Sequence, residues 1–337
     1  MLERRKFLKQ LALVGVGGKA LLSTGSVKAA VETADSKRMQ EWPEMTYTTL
    51  GRTGFKASRL VYGCGAALSR KRADRTLNAA FDRGVNVYDV GTSRYYGFAQ
   101  RHLAEFAGTH RDDIFLVTKD FVDADRNANP TVDETKALAK QWIGRLDACL
   151  EELQQEHVDA YYIMGANNPH LIGREEFYVE YLKAKEAGKV SHFGFSTHDR
   201  AEVLLEKAIE VGWFDLAMLA ITPGGWYDWA SKDLVKESPN LIDLKPILTR
   251  AKEEAGIGLI GMKAARILAG RMFGGRGKMS MFDELYNEDL TKRNFSAFQR
   301  SYGYVLAHGM DVVNSDIGSF DILEENFVAA ATVSRLA

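Results

Sequence analysis

The sequence predicts an α/β fold, a (β/α)8 TIM barrel whose bottom is closed by an N-terminal β-hairpin. Three observations carry this. From residue 59 onward, short apolar runs alternate with stretches of helical periodicity, the signature of parallel βαβ units. There are eight of each, at a spacing that favours a closed ring over an open sheet. No Gly-x-Gly-x-x-Gly follows the first apolar run, which argues against an open dinucleotide-binding sheet.

The apolar runs fall at 59–65, 85–91, 114–121, 159–166, 191–198, 216–222, 258–266 and 312–319. The helical patterns begin near Arg72, Gly97, Asp133, Arg174, Arg200, Leu241, Phe295 and Asp321. Ahead of the first run, Thr46 to Arg59 reads as two short strands around a turn marked by Gly51 and Gly54. A barrel must keep water out of one end of its core, and a hairpin plug does that. A single barrel over 45–337 lies within the size range of the fold, and residues 30–44, polar and containing Pro43, read as a linker.

The chain has two cysteines, Cys64 and Cys149, too few for a four-cysteine zinc or iron–sulfur site. One disulfide is arithmetically open. Cys64 on a strand and Cys149 on an amphipathic helix favour two buried thiols instead.

Charge is uneven. Residues 1–29 hold Arg4, Arg5, Lys6, Lys9, Lys19 and Lys28 against Glu3, a net +5 that leaves −6 for the rest of a chain whose formal charge is −1. A mildly acidic body gives no footing for a nucleic acid. The basic end reads as an address. Glu3-Arg4-Arg5-Lys6-Phe7-Leu8-Lys9 resembles the twin-arginine export consensus, followed by a weakly hydrophobic run from Leu11 to Leu22 and by Val27-Lys28-Ala29 as a cleavage site. That run, diluted by Gly15, Gly17 and Gly18, is too short to span a bilayer stably. The expectation is a signal peptide over 1–29, the Tat translocase as a transient partner, and a periplasmic protein carried out folded.

Leu50-Gly51-Arg52-Thr53-Gly54 leading into a strand resembles the start of aldo-keto reductases, and the resemblance runs across the rest of the chain. It implies a nicotinamide-dependent oxidoreductase that interconverts a carbonyl and an alcohol of a small-molecule substrate. Barrel enzymes build their sites at the C-terminal strand ends. There, Val87-Tyr88-Asp89-Val90-Gly91 with Tyr95-Tyr96-Gly97, and Val117-Thr118-Lys119, are similar to the family's catalytic elements. Carbonyl reduction needs a proton for the developing alkoxide. A phenol is a weak acid near neutrality, and a nearby ammonium makes it a better one. The resemblance therefore makes Tyr96 the proton donor, Lys119 its tuner and Asp89 the anchor of Lys119. The Asp-to-Tyr spacing is two residues longer than usual, so Tyr95 competes with Tyr96, and a purely structural Asp89–Lys119 pair stays open.

Other matching positions depart from the pattern. Met164 stands where the family places a catalytic histidine, and methionine has no donor; His170, six residues on, is the nearby substitute. On the nicotinamide side Ser196 is kept, Thr197 replaces an amide, and Met218 replaces a glutamine. Gly65 and Ala66 at the first strand end, and Lys263, Arg266 and Gly270 after the seventh, match positions around the cofactor, where cations and backbone amides suit a pyrophosphate. Gly274-Gly275-Arg276-Gly277-Lys278 lacks phosphate-loop spacing and reads as a lid. Gly318, Ser319, Glu325 and Asn326 resemble the adenine-binding end, without the clamp for a 2′-phosphate, so NADP and NAD both stay open. Some relatives carry a C-terminal cysteine cluster for iron–sulfur centres; this sequence shows none, so no such cluster is expected. Trp226, Tyr227 and Trp229 either line an aromatic pocket or cover the rim. Two other readings remain: an exported barrel that lost catalysis and serves as a binding protein, and a cofactor-free isomerase or lyase using Tyr96 and Lys119.

Overall fold

The computed structural model describes residues 24–270 and 275–332. The twin-arginine motif and the apolar run after it lie outside the described residues. Thr24–Gln40 is a single helix, so much of the expected linker at 30–44 is regular structure. Its alanines, lysines, glutamate and methionine are good helix formers, and Pro43 lies just beyond its end. Among the described residues no helix is long and apolar enough to cross a membrane.

The barrel chain opens with an antiparallel hairpin, β1 (Tyr47–Thr49) and β2 (Lys56–Ser58). Eight parallel strands follow: β3 (Leu60–Gly63), β4 (Val87–Asp89), β5 (Phe115–Phe121), β6 (Val158–Met164), β7 (Val190–Thr197), β8 (Leu216–Thr222), β11 (Gly258–Met262) and β12 (Val312–Asp316). Each pairs with the next and β12 pairs with β3, which closes the ring. Two short strands after β8, β9 (Gly225–Asp228) and β10 (Asp233–Leu234), fold back antiparallel on its end. A helix follows every barrel strand, the principal ones starting at Asp74, Ala99, Val132, Glu175, Ala201, Lys245, Ala297 and Phe320. The predicted barrel is correct strand by strand, with edges that match the apolar runs or differ from them by one to four residues.

Local chemistry explains the edges. Thr131 and Ser296 each form a capping box, with Glu134 and Gln299, that satisfies the first free amides of a helix. Trp142, Tyr161, Phe177 and Phe193 pack with ring centroids 4.8–5.9 Å apart between the outer helices and the sheet. Both cysteines are buried free thiols, Cys64 one residue past β3 and Cys149 on the helix Val132–Leu153.

The hairpin sits across the N-terminal strand ends. Arg52 donates from Nε to Asp215 Oδ1 (2.6 Å) and from Nη1 to the Gly212 carbonyl (3.0 Å), while its amide donates to the Gly256 carbonyl (2.7 Å). Gly51 has φ +51°, and a Cβ there would lie 2.2 Å from the Gly258 amide nitrogen. Only glycine allows that approach. With one end closed this way, the other end is left for chemistry.

Candidate active site

Side chains alternate across a strand, so Asp89, Lys119, Tyr162, Met218 and Asn314 all point into the barrel. Lys119 Nζ donates to Asp89 Oδ1, and Asn314 Nδ2 donates to Asp89 Oδ2 at 2.7 Å. Asp89 and Lys119 are 5% and 3% exposed. Removing two charges from water is tolerable only when their remaining valences are filled, and both carboxylate oxygens have a donor here. Burial still lifts the Asp89 carboxyl, against the pull of Lys119 and Asn314. The Tyr162 hydroxyl, also buried, has no hydrogen-bond partner among the described residues.

Tyr96 ends the helical turn Ser93–Tyr96, which Thr92 caps by accepting from the Arg94 amide at 3.3 Å. Its ring fills a slot made by two glycines. A Cβ at Gly65 would lie 2.5 Å from the ring, and one at Gly91 would lie 3.1 Å from the ring and 2.9 Å from Lys119 Cγ. The Lys119 stem therefore lines the same slot. Tyr95 is 55% exposed and stacks edge-on against Tyr96 (4.8 Å) and Phe121 (5.8 Å). Tyr96 lies over the buried pair and Tyr95 on the rim. Burial, then the carboxylates Asp316 and Asp89, push the phenol well above its usual value and hold its proton on.

Met164 ends β6 and is buried. Ser196, inward-facing on β7, accepts from the Gly165 amide at 3.3 Å. Thr197 is turned away: its hydroxyl donates to the Asp199 carbonyl (2.5 Å) and accepts from the Asp199 amide (3.1 Å). Met218 Sδ accepts from Asn314 at 3.5 Å. His170 is exposed on the turn Pro169–Ile172.

A cluster of cations rings the mouth. Trp226 and Tyr227 on β9 are buried, with Trp226 Nε1 donating to Glu202 at 3.0 Å, so these two cover the rim. Trp229 follows them toward the opening. Around its ring lie Lys232 Nζ at 3.0 Å, Lys263 Nζ at 5.0 Å, Arg266 Cζ at 5.4 Å and the His198 ring at 5.6 Å. Lys263 has φ +64°, a left-handed turn immediately past β11 that departs from strand alternation. Burial lowers its ammonium, as do Arg266 and Lys119, against Asp316. Arg266 Nε is buried without a hydrogen-bond partner. Burial, then Lys263, Lys119 and Lys232, push the His198 imidazole down to about 3.

The segment expected to be a lid is described from Gly275 onward. Its Arg276 donates to Asp233 (3.2 Å) and to the Ser231 carbonyl (2.6 Å), and its amide donates to the Ile267 carbonyl (2.8 Å). It thus ties the β9–β10 turn to the loop after β11.

At the eighth strand end, Asp316 Oδ1 accepts from the Ala66 amide at 3.2 Å, and Ser319 caps the helix Phe320–Ala331 by accepting from the Ile322 amide. A Cβ at Gly318 would meet open space. Glu325 and Asn326 are already engaged: Glu325 accepts from the Ser296 hydroxyl at 2.5 Å, and Asn326, 4% exposed, donates to Ser315 Oγ at 2.6 Å. The structure therefore brings Asp89, Tyr96, Lys119, Met164, Ser196, Met218, Lys263 and Arg266 to one end of the barrel. It turns Thr197 and Asn326 elsewhere. It adds Asn314, Asp316, His198 and Lys232, which motif matching passed over. Among the described residues no group of His, Cys, Asp and Glu is placed to hold a metal ion.

The family model described as "Aldo/keto reductase family" matches residues 54–230. The uncharacterized oxidoreductase YrpG of Bacillus subtilis is 32% identical over 170 residues, 45% of this chain and 49% of that protein, so the chain matches about half the length of this curated relative. Among solved structures, aldo-keto reductase AKR11C1 of Bacillus halodurans in its holo form superposes with a TM-score of 0.61 at 18% identity, covering 87% of this chain and 96% of that one. An aldo-keto reductase of Klebsiella pneumoniae in complex with NADPH gives 0.59 at 16% identity, covering 87% and 95%.

Proposed function

Because the chain belongs to the aldo/keto reductase family, we propose that it interconverts a carbonyl and an alcohol of a small-molecule substrate with NADPH or NADH. The observation that carries this reading is the buried Asp89–Lys119 pair beneath Tyr96, at the open end of the barrel. The nicotinamide cofactor supplies the hydride. The chain's own residues suit such a dinucleotide. The orphaned Arg266 Nε and the Lys263 and Lys232 ammoniums, which have no carboxylate partner at ion-pair distance among the described residues, call for an anion such as a pyrophosphate. Open space at Gly318 leaves room for its approach. The complex of the Klebsiella relative with NADPH supports the same cofactor class.

In this reading Tyr96, held protonated by burial, delivers its proton to the developing alkoxide. Lys119 steadies the tyrosinate that remains, and Asp89, fixed by Asn314, keeps Lys119 in register. Met164 and Met218 present thioethers where donors would otherwise reach the substrate and cofactor, so the site is a diverged one. By the family resemblance Gly65, Ala66, Ser196 and Ser319 would face the cofactor, while Glu325 is engaged by the Ser296 hydroxyl. Purified protein should quench or shift NADPH fluorescence at micromolar to millimolar cofactor. No change with either NADPH or NADH at millimolar concentration sinks the proposal.

We further propose export through the twin-arginine pathway, supported by Arg4-Arg5-Lys6-Phe7-Leu8-Lys9 and the +5 charge of residues 1–29. Replacing Arg4 and Arg5 together by lysine should leave the protein in the cytoplasmic fraction. An unchanged distribution rules the pathway out.

A further inference from the structure

Proton delivery from Tyr96 needs the phenol held in place, and its own turn cannot hold it. Ser93–Tyr96 is one turn of helix, too short to persist alone. The slot that receives the ring is bounded by Gly65 and Gly91, which bring no side chain to grip it. The path from Asp89 to Tyr96 is also two residues longer than the family pattern, so this turn needs a tie of its own.

Arg94, two residues before Tyr96, supplies it. Its Nη1 donates to Asp120 Oδ1 at 3.1 Å and its Nη2 to Asp123 Oδ1 at 2.9 Å. Asp120 directly follows Lys119 on β5, and strand alternation sends its side chain outward while that of Lys119 goes inward. The receiving carboxylates are themselves fixed. Asp120 is 2% exposed, and its Oδ1 also accepts from the Phe121 amide at 2.7 Å. Arg145, on the helix Val132–Leu153, donates to Asp123 Oδ2 and, at 2.8 Å, to the Phe121 carbonyl. Two further contacts reach the same strand end. The Thr92 amide donates to the Lys119 carbonyl at 2.9 Å, and the Tyr95 ring lies edge-on to Phe121 at 5.8 Å. The turn thus docks on three consecutive residues, Lys119, Asp120 and Phe121. A planar fork that spans two carboxylates fixes direction as well as distance.

We propose that Arg94 is the positioning residue for Tyr96, locking the phenol to the strand end that carries Lys119. The inference rests on the carbonyl–alcohol reading above and deepens it by assigning a residue. Arg94 acts through Tyr96, from the outer side of the strand.

The test uses the full chain and the variants Arg94→Ala and Arg94→Lys, with NADPH and benzaldehyde as the probe. A reacting group displaced by about 1 Å costs up to about 10² in rate. Arg94→Ala should therefore lower kcat by about 10–10², with KM for benzaldehyde and the dissociation constant for NADPH unchanged. Lysine keeps the charge and loses the fork, so Arg94→Lys should recover only part of the loss. In a Tyr96→Phe background Arg94→Ala should cost nothing further, because the hydroxyl it aims is already gone. A second readout needs no turnover. The Thr92, Tyr95, Tyr96 and Gly97 amides are hydrogen-bonded, and their hydrogen exchange should quicken in Arg94→Ala while the helix Phe320–Ala331 exchanges as in the wild type. Retained kcat in Arg94→Ala overturns the proposal. So do losses that multiply in the double variant, the mark of a general structural role, and so does unchanged exchange over 92–97. If wild-type protein binds neither NADPH nor NADH, the carbonyl–alcohol reading falls by itself, and exchange over 92–97 still decides the anchoring. The same measurement decides it if benzaldehyde is not turned over.

Discussion

The two ends of the barrel treat charge in opposite ways. At the closed end, Arg52 reaches Asp215 and a backbone carbonyl, Asp215 also accepts from the Phe193 amide at 3.0 Å, and Arg59 donates to the Leu306 carbonyl at 2.6 Å. Each cation there has a protein partner, and the hairpin is held by them. At the open end, three cations converge on one indole with no carboxylate at ion-pair distance among the described residues. Charge that meets a protein partner holds a fold together. Charge left over at a closely packed opening is poised for something that arrives from outside, and its repulsion is a standing cost that a bound anion relieves.

The largest expected effect lies at the open end. Tyr96→Phe should lower kcat by about 10²–10⁴ without weakening NADPH binding or thermal stability. Equal turnover in the variant would falsify the role of Tyr96 and shift attention to Tyr95. Next comes Asp89→Ala, which strands a buried ammonium. It should cost about 3–5 kcal/mol of stability as well as activity, seen as a lower urea midpoint. A stable Asp89→Ala would mean that Lys119 finds water or another partner. At the closed end Arg52→Ala should cost only about 1–2 kcal/mol, since the side chain is 38% exposed, and should leave kcat alone. A change in kcat there would break the division between the two ends.

The smallest effect is one of pH. His198 has its folded value held at about 3, against an ordinary 6.5. Between those values the unfolded chain binds a proton that the folded chain does not. Stability contributed above pH 6.5 is therefore lost as pH falls toward 3. His198→Asn removes this loss, so the gap between urea midpoints at pH 7 and pH 4.5 should be narrower than in wild type. An identical gap would mean that the imidazole is charged or exposed in the fold.

The barrel was legible because its signal is repeated eight times, and an error at one strand edge does not move the others. Asp89, Tyr96 and Lys119 were legible for a related reason: they lie on two successive strand ends and the loop between them, close in sequence as in space. Asn314 and Asp316 were not, because only closure of the ring brings the eighth strand beside the first. The orientation of Asn326 was hidden too. Its helix could be placed from sequence, but which face packs inward depends on the pairing of that helix with its neighbours, and it turned the amide onto Ser315. Lys263 reaches the mouth through a left-handed backbone turn that strand periodicity does not foresee. Burial and the carboxylates Asp316 and Asp89 raise the Tyr96 phenol, an effect that residue spacing does not reveal.

The pairing of β12 with β3 also has a consequence in time. The first stave of the barrel lacks one neighbour until the last has been made, and an unpaired strand edge is an invitation to wrong partners. About 250 residues separate the two strands, and at roughly 5–20 residues per second their synthesis is about 12–50 s apart. The basic residues 1–29 leave the ribosome early, yet the ring is whole only after the eighth barrel strand is made. Under the export proposed above, in which a finished barrel is carried across, passage would follow synthesis instead of accompanying it.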